Sequence, residues 1–198
     1  MITLAIDTSF YYLSLVLIKE NQVIDSLYEK CYRNQSEIIF PRLNEMFIKN
    51  NLSGNSIDKI VVTKGPGSYT GVRIAMTIAK TYCSQKAIPL YTISTLRLYA
   101  GLKPKIVIID ARAYRCFFAV YSDGNPILSD CILDVKKAKD TIEDFFDFSI
   151  YGDAHLVGKN DCFDDVASNY LDLIDYWEQV ESIHFLAPEY LKEKNSYG

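Results

Sequence analysis

Hydrophobic and polar positions along this chain spell short β-rich runs separated by one stretch of helical spacing, and the same order occurs twice. Residues 1–6 form a first β-rich run, stopped by the turn-forming trio Asp7-Thr8-Ser9. Residues 11–19 are dense in aliphatics, as a strand buried on both faces would be, and residues 23–31 run back after the turn Glu20-Asn21-Gln22. Short links between successive strands predict an antiparallel meander. Ser36 is placed to cap a helix whose face carries Ile39, Leu43, Met46 and Phe47, with Ile38 and Phe40 widening its apolar arc. Pro41 fits either the first turn of that helix or a kink. Residues 57–62 read as a strand, which after an intervening helix is expected to lie parallel to a neighbour.

The strongest periodicity follows. Val72, Ala75, Met76, Ala79, Tyr82 and Cys83 step by 3, 1, 3, 3 and 1, a 3.6-residue repeat, while Ile74 and Ile78 fall off that stripe. A helix apolar on more than one side must be covered on more than one side, by a second layer of the chain or by another subunit. Ala75 and Ala79, one turn apart, would let another helix approach closely. Residues 88–92 form a further strand, Ser94 caps a short helix, and Gly101-Leu102-Lys103-Pro104 breaks the pattern. Lobes covering 1–102 and 103–198 are therefore expected.

The second half repeats the plan. Strands are expected at 106–109, 116–121 and 127–133, then a helix capped by Asp134 and carrying Ala138, Ile142, Phe145 and Phe146. A strand at 149–151 and a helix marked by Phe163, Val166, Ala167, Tyr170 and Leu171 complete it. Asp110-Ala111-Arg112 closes the first strand of this half as Asp7-Thr8-Ser9 closes that of the first. A duplicated mixed α/β lobe is the layout of the actin-like ATPases, whose nucleotide lies between lobes with an acidic turn on each side.

Composition narrows the function. A net charge of −4 argues against a protein whose main task is gripping a nucleic-acid backbone, although a local basic patch remains compatible with it. The five cysteines are scattered with no C-x-x-C pair, which favours reduced core thiols over a disulfide framework or a metal site. No signal peptide precedes the first strand, and no apolar run approaches the roughly 20 residues that span a membrane. A cytoplasmic protein is expected.

Thr63-Lys64-Gly65-Pro66-Gly67-Ser68-Tyr69-Thr70-Gly71-Val72-Arg73, between a strand and a helix, has the setting of a phosphate loop but not the spelling. A Walker loop would end Gly-Lys-Ser/Thr, and a dinucleotide fingerprint would space its glycines G-x-G-x-x-G. Ser68 and Thr70 read as turn and cap residues. Tyr69 reads equally as a contact or as packing. Arg73 sits at the helix end that disfavours a cation, so Asp7 or an anion could partner it, or water could. Asp7 and Asp110 are the natural cleft acids for Mg²⁺, but neither turn has a glycine to admit a phosphate. His155 and His184 stand far apart with no Cys or acid at ligand spacing, which removes a metallopeptidase.

Three motifs together resemble the glycoprotease-like TsaB family of bacterial tRNA threonylcarbamoyladenosine biosynthesis proteins. They are Ala5-Ile6-Asp7-Thr8-Ser9, the run Gly65 to Arg73, and Asp110-Ala111-Arg112, joined by Tyr190-Leu191-Lys192 where the family has Tyr-Leu-Arg. The chain departs from the family at Gln35-Ser36-Glu37, where His-Ser-Glu is common, and at Tyr114-Arg115, where a Gly/Asn-Glu step is common. The resemblance implies an actin-like (ribonuclease H-like) two-lobe fold with a shortened second lobe. It implies a non-catalytic scaffold for the catalytic subunit TsaD, working with the ATPase subunit TsaE to modify tRNA. ATP and metal would then belong to those partners, this chain would bind no cofactor alone, and tRNA would be reached indirectly. It also implies docking, and possible homodimerisation, through the first two helices. That made Ile38, Ile39, Leu43, Tyr69, Arg73, Ala75, Met76, Ala79 and Tyr82 the expected contacts. The rival reading is an actin-like phosphotransferase or hydrolase using Asp7 and Asp110.

Overall fold

The computed structural model describes residues 1–31 and 34–191. Its elements in order are β1 (Ile2–Asp7), β2 (Tyr12–Lys19), β3 (Gln22–Lys30), α1 (Gln35–Lys49), β4 (Lys59–Thr63), α2 (Tyr69–Lys86), β5 (Leu90–Ile93) and α3 (Thr95–Ala100). There follow β6 (Lys105–Arg112), β7 (Arg115–Ser122), β8 (Asn125–Asp134), α4 (Val135–Glu143), β9 (Ser149–Gly152), α5 (Ala167–Asp172) and β10 (Glu178–Gln179). The first sheet has the order β10-β5-β4-β1-β2-β3 and the second β8-β7-β6-β9. In each, three antiparallel strands are followed through a helix by a strand parallel to the first, β4 beside β1 and β9 beside β6. Among the described residues the second sheet has no counterpart of β5. This is the duplicated, actin-like plan with the second copy cut short.

Strand alternation sorts side chains into layers. On β1, Leu4 and Ile6 face one way into a core with α1 and α2, while Ala5 faces the other. The layer between the sheets holds Tyr99 and Leu96 of α3 and Tyr170 of α5, against Val107, Ile109 and Ala119 of the second sheet. Behind that sheet, Ile106, Ile108, Phe118 and Val120 pack on Ala138 of α4. Helix, sheet, helix, sheet and helix stack in that order, so the central strands of both sheets are buried on both faces while β3 and β8 stay partly exposed. That accounts for the near-continuous apolar runs in β1 and β2. The lobes are further tied by the Tyr28–Tyr151 hydroxyl pair at 2.7 Å and by Phe163, which contacts Tyr11, Tyr12 and Tyr151.

Several local expectations change. Ser36 does not cap α1; Asn34 precedes the helix without a side-chain cap bond, and Pro41 lies inside it. Instead the Gln35 amide donates to the Phe10 carbonyl at 2.8 Å, tying α1 to the turn after β1. Asp134 precedes α4 but also makes no side-chain cap bond. The last helix is only Ala167–Asp172, because Asp165 Oδ1 accepts the Ala167 N–H at 2.8 Å and starts it there. Phe163 and Val166 pack in the shared core ahead of it. The break at Gly101 separates the two sheets, but the chain then returns. β10 pairs with the outer edge of β5, and Val180, Ile183 and Leu186 pack onto the first lobe. Residues 178–191 thus lie on the first lobe, not the second. All five cysteines are free thiols, and burial pushes Cys83 up to about 11. No helix among the described residues is long and apolar enough to cross a membrane.

Candidate functional site

The glycine-rich run after β4 is a packing device. Gly71 lies so close to the turn after β1 that a Cβ would stand 2.1 Å from the Thr8 carbonyl oxygen. The Thr8 hydroxyl donates to the Gly71 carbonyl at 2.6 Å and accepts the Ala75 N–H at 3.2 Å. Ser68 caps α2 by accepting the Gly71 N–H, and its own N–H donates to the Ser9 carbonyl at 2.8 Å. At Gly67 a Cβ would meet Ser9 at 2.9 Å, and at Gly65, whose φ is +112°, the Glu189 carbonyl at 2.5 Å. The helix start that could have received a phosphate is therefore seated on the chain itself.

Asp7 is also consumed internally. It is 1% exposed, and its carboxylate accepts from Ser9 N–H (2.8 Å), the Thr63 hydroxyl (2.6 Å) and the Tyr99 hydroxyl (2.7 Å). It is not a cleft acid. The opening between the lobes, about 830 Å³, is lined by Phe10, Tyr11, Gln35, Ser68, Asp110 and Arg112 among others. Asp110 does stand there, exposed, accepting the Arg112 N–H at 2.7 Å. The depth of the opening is filled by Phe10 against Tyr99 and Phe117, each pair at 6.0 Å.

The structure also brings together acids that sequence spacing did not. Asp153, at the end of β9, accepts the Asp110 N–H at 2.7 Å and the Tyr11 hydroxyl at 3.4 Å. Burial, then the charges of Asp153 and Asp110, push the Tyr11 hydroxyl up to about 12. Asp161 accepts both the backbone N–H and Nδ1 of His155, each at 2.8 Å. The ligand atoms of Asp153, His155 and Asp161 lie within 4.8 Å of one another, but these internal bonds already engage all three side chains. The hydrogen bond to Asp161 raises His155 above its ordinary 6.5. A raised value means that this pair supports the fold below the unfolded pKa and loses that support as pH rises through the folded one. A histidine NMR titration is expected to place the His155 midpoint above 6.5, and Asp161→Ala to lower it. An unmoved midpoint would contradict the pairing.

The surface left over is on α1 and α2. A groove of about 430 Å³ between them is lined by Ile39, Phe40, Tyr69, Arg73, Ile74 and Ile78, with Ser36, Thr70 and Thr77. Of the expected contacts, Tyr69 and Arg73 stand exposed at its rim and Ile39 at its buried floor. Ile38 is half-buried and Leu43 buried in the core of the first lobe. Ala75, Met76 and Ala79 are buried on the face of α2 turned to the chain's own interior. Their spacing marked the stripe that packs inward, and the small residues let α2 approach its own sheet rather than another subunit. Tyr82 is half-buried, with its ring against Gly54. Ile74, Ile78 and Phe40, the apolar positions off the main stripes, are what the groove presents. Being off-stripe was itself the signal.

Arg73 does not pair with Asp7, whose oxygens are taken by other donors. Its Nε donates to the Tyr190 hydroxyl at 3.0 Å, and its guanidinium lies 4.1 Å over the Tyr69 ring. Tyr69 in turn stacks on Tyr190 at 5.5 Å. The returning tail is held further by Lys64, which pairs with Glu178 at 2.7 Å and Glu189 at 3.4 Å. Tyr190 of the C-terminal motif is therefore a structural anchor beside the groove; Lys192 lies outside the described residues.

Comparison with known proteins gives this arrangement a family. The family model described as "TsaD: tRNA N6-adenosine threonylcarbamoyltransferase" matches residues 27–157. The Bacillus subtilis tRNA threonylcarbamoyladenosine biosynthesis protein TsaB is 36% identical over 141 residues, 68% of this chain and 61% of that protein. The Escherichia coli protein of the same name is 31% identical over 132 residues, 63% of this chain and 57% of that one. Each of these matches spans less than two thirds of the relative's length. The structure of YeaZ from Pseudomonas aeruginosa shares the fold, with a TM-score of 0.73 at 22% identity over 96% of this chain and 99% of that one. This chain's seated helix, spent aspartate and groove thus stand on a shared scaffold: the chain belongs to the family whose model is described as TsaD and whose similar curated members here are TsaB proteins.

Proposed function

We propose that this chain takes part in making threonylcarbamoyladenosine next to the anticodon of tRNAs that read codons beginning with A, as a non-catalytic scaffold. In this reading it docks a TsaD-type catalytic subunit through the groove between α1 and α2, in company with a TsaE-type ATPase. ATP and metal belong to those partners, and the same groove serves a homodimer when the partner is absent. The observation that carries the reading is the groove itself. Phe40 is 62% and Tyr69 60% exposed there, beside Ile74 and Ile78, an apolar face that a helical partner would cover.

The test is a pair of substitutions with opposite fates. Ile78 is half-buried at the groove, and Ile78→Glu is expected to lower the melting temperature of the isolated chain only modestly and leave it folded. It should weaken association with the purified catalytic subunit by roughly 30-fold or more, as expected at the centre of an interface. Ala79→Arg, one residue on but fully buried, is expected to unfold the chain by forcing an unpaired charge into the core. Calorimetric titration and thermal melting read both. Wild-type association by Ile78→Glu would end the docking reading. The rival phosphotransferase needs a free Asp7, and its donors leave none; micromolar ATP binding by the isolated chain would revive it.

A further inference from the structure

The hairpin between β6 and β7 turns in two residues, Ala113 and Tyr114, whose φ values of 52° and 59° follow 64° at Arg112. A two-residue turn with both φ positive is the place for Asn-Gly, since side chains with a Cβ are strained there. This chain instead puts an aromatic ring at the tip and leaves it 91% exposed, so packing does not offset the strain. The Tyr114 carbonyl accepts the Val135 N–H at 2.9 Å, which sets the first turn of α4 beside the tip. That turn carries Lys136 and Lys137, both exposed, and no acid. Cations there oppose the helix dipole. Arg112, Lys136 and Lys137 have no ion pair among the described residues, although Asp110 and Asp134 flank the patch.

We infer that this tip is a contact for a single-stranded stretch of RNA, with an unpaired base stacking on Tyr114 and phosphates meeting Arg112, Lys136 and Lys137. A lone exposed ring set among cations suits a base flanked by phosphates. The core of a protein interface is depleted of charge, whereas the exposed residues flanking this tip include Arg112, Lys136 and Lys137. The inference rests on the tRNA reading above for its biological setting, and it assigns this chain a direct contact where the family resemblance implies only an indirect one.

Fluorescence anisotropy of the full chain with a labelled single-stranded oligoribonucleotide, over a salt series, tests it. Tyr114→Ala is expected to weaken binding about tenfold. Lys136→Ala with Lys137→Ala should reduce the slope of log affinity against log salt by about 1.4. Ala113→Asn with Tyr114→Gly should raise the melting temperature, by relieving the turn, while losing the same affinity. Lys86→Ala, elsewhere on the surface, should change nothing. No binding at low salt, affinity indifferent to Tyr114→Ala, or equal affinity for an RNA duplex would each overturn the contact. So would hairpin variants that lose the catalytic subunit instead of RNA. A reconstituted tRNA modification assay separates the two readings. Modification that proceeds with unaltered RNA affinity in Tyr114→Ala overturns this inference alone, whereas failure of the unmutated chain to support modification overturns the proposed function.

Discussion

Gly71→Ala is expected to lower the unfolding free energy by on the order of 3 kcal/mol, as a severe case of overpacking against backbone. The direction is informative, because in an open helix alanine would be favoured over glycine by about 1 kcal/mol. Here the new methyl would meet the Thr8 carbonyl, and neither partner has room to move. Thr8 is held by its hydroxyl to Gly71 and Ala75, and α2 is capped by Ser68 and tied to Ser9. Relief would have to come from shifting the whole helix, which would also misplace Tyr69, Ile74 and Ile78 in the groove. Urea unfolding should show a lower midpoint with an unchanged slope. A midpoint at or above wild type would mean that α2 does not rest on this turn.

Asp7→Ala should cost on the order of 4 kcal/mol, since it strands the Ser9 N–H and the Thr63 and Tyr99 hydroxyls beside a buried hole. Asp7→Asn is expected to cost less, because Oδ1 still accepts from the Ser9 N–H and the Thr63 hydroxyl while the Tyr99 hydroxyl can rotate to accept from the amide. Chemical denaturation of the three proteins checks the order wild type, Asn, Ala. If Asp7→Ala melted like wild type, the aspartate would be free for ligand chemistry, and the phosphotransferase would return. The expected destabilisation also means that loss of ATP binding in Asp7→Ala alone would prove little, since unfolding would produce it too.

The two-lobe plan was legible because both copies announce themselves: each opens with a strand that closes on an acid-bearing turn, and the first two strands of each are largely buried. Asp7 itself was misread from the same evidence. An aspartate at a strand end looks alike whether its oxygens face a cleft or three donors, and Tyr99, one of those donors, lies 92 residues away. The repeat on α2 correctly marked a helix but could not say which of two apolar arcs faced the interior; the small residues Ala75, Ala79 and Cys83 identify it once a sheet is known to lie beneath. For Arg73 the sequence offers Asp7, an anion or water alike, and the Tyr190 hydroxyl that it meets is 117 residues on, in a segment with no periodic pattern to place it. β10 is too short for any alternation to register.

That short strand bears on how the protein is made. Glu178 and Gln179 pair with Thr92 and Tyr91 on the rim of the first sheet, and the following residues lie over the core of the first lobe. The half of the molecule translated first is thus completed by residues translated more than 80 positions later. Until then β5 presents an open edge, the kind of surface that recruits stray strands. The two lobes cannot be separated at Gly101 into independently finished modules, and a fragment ending there would emerge from the ribosome with its sheet unclosed and ready to aggregate.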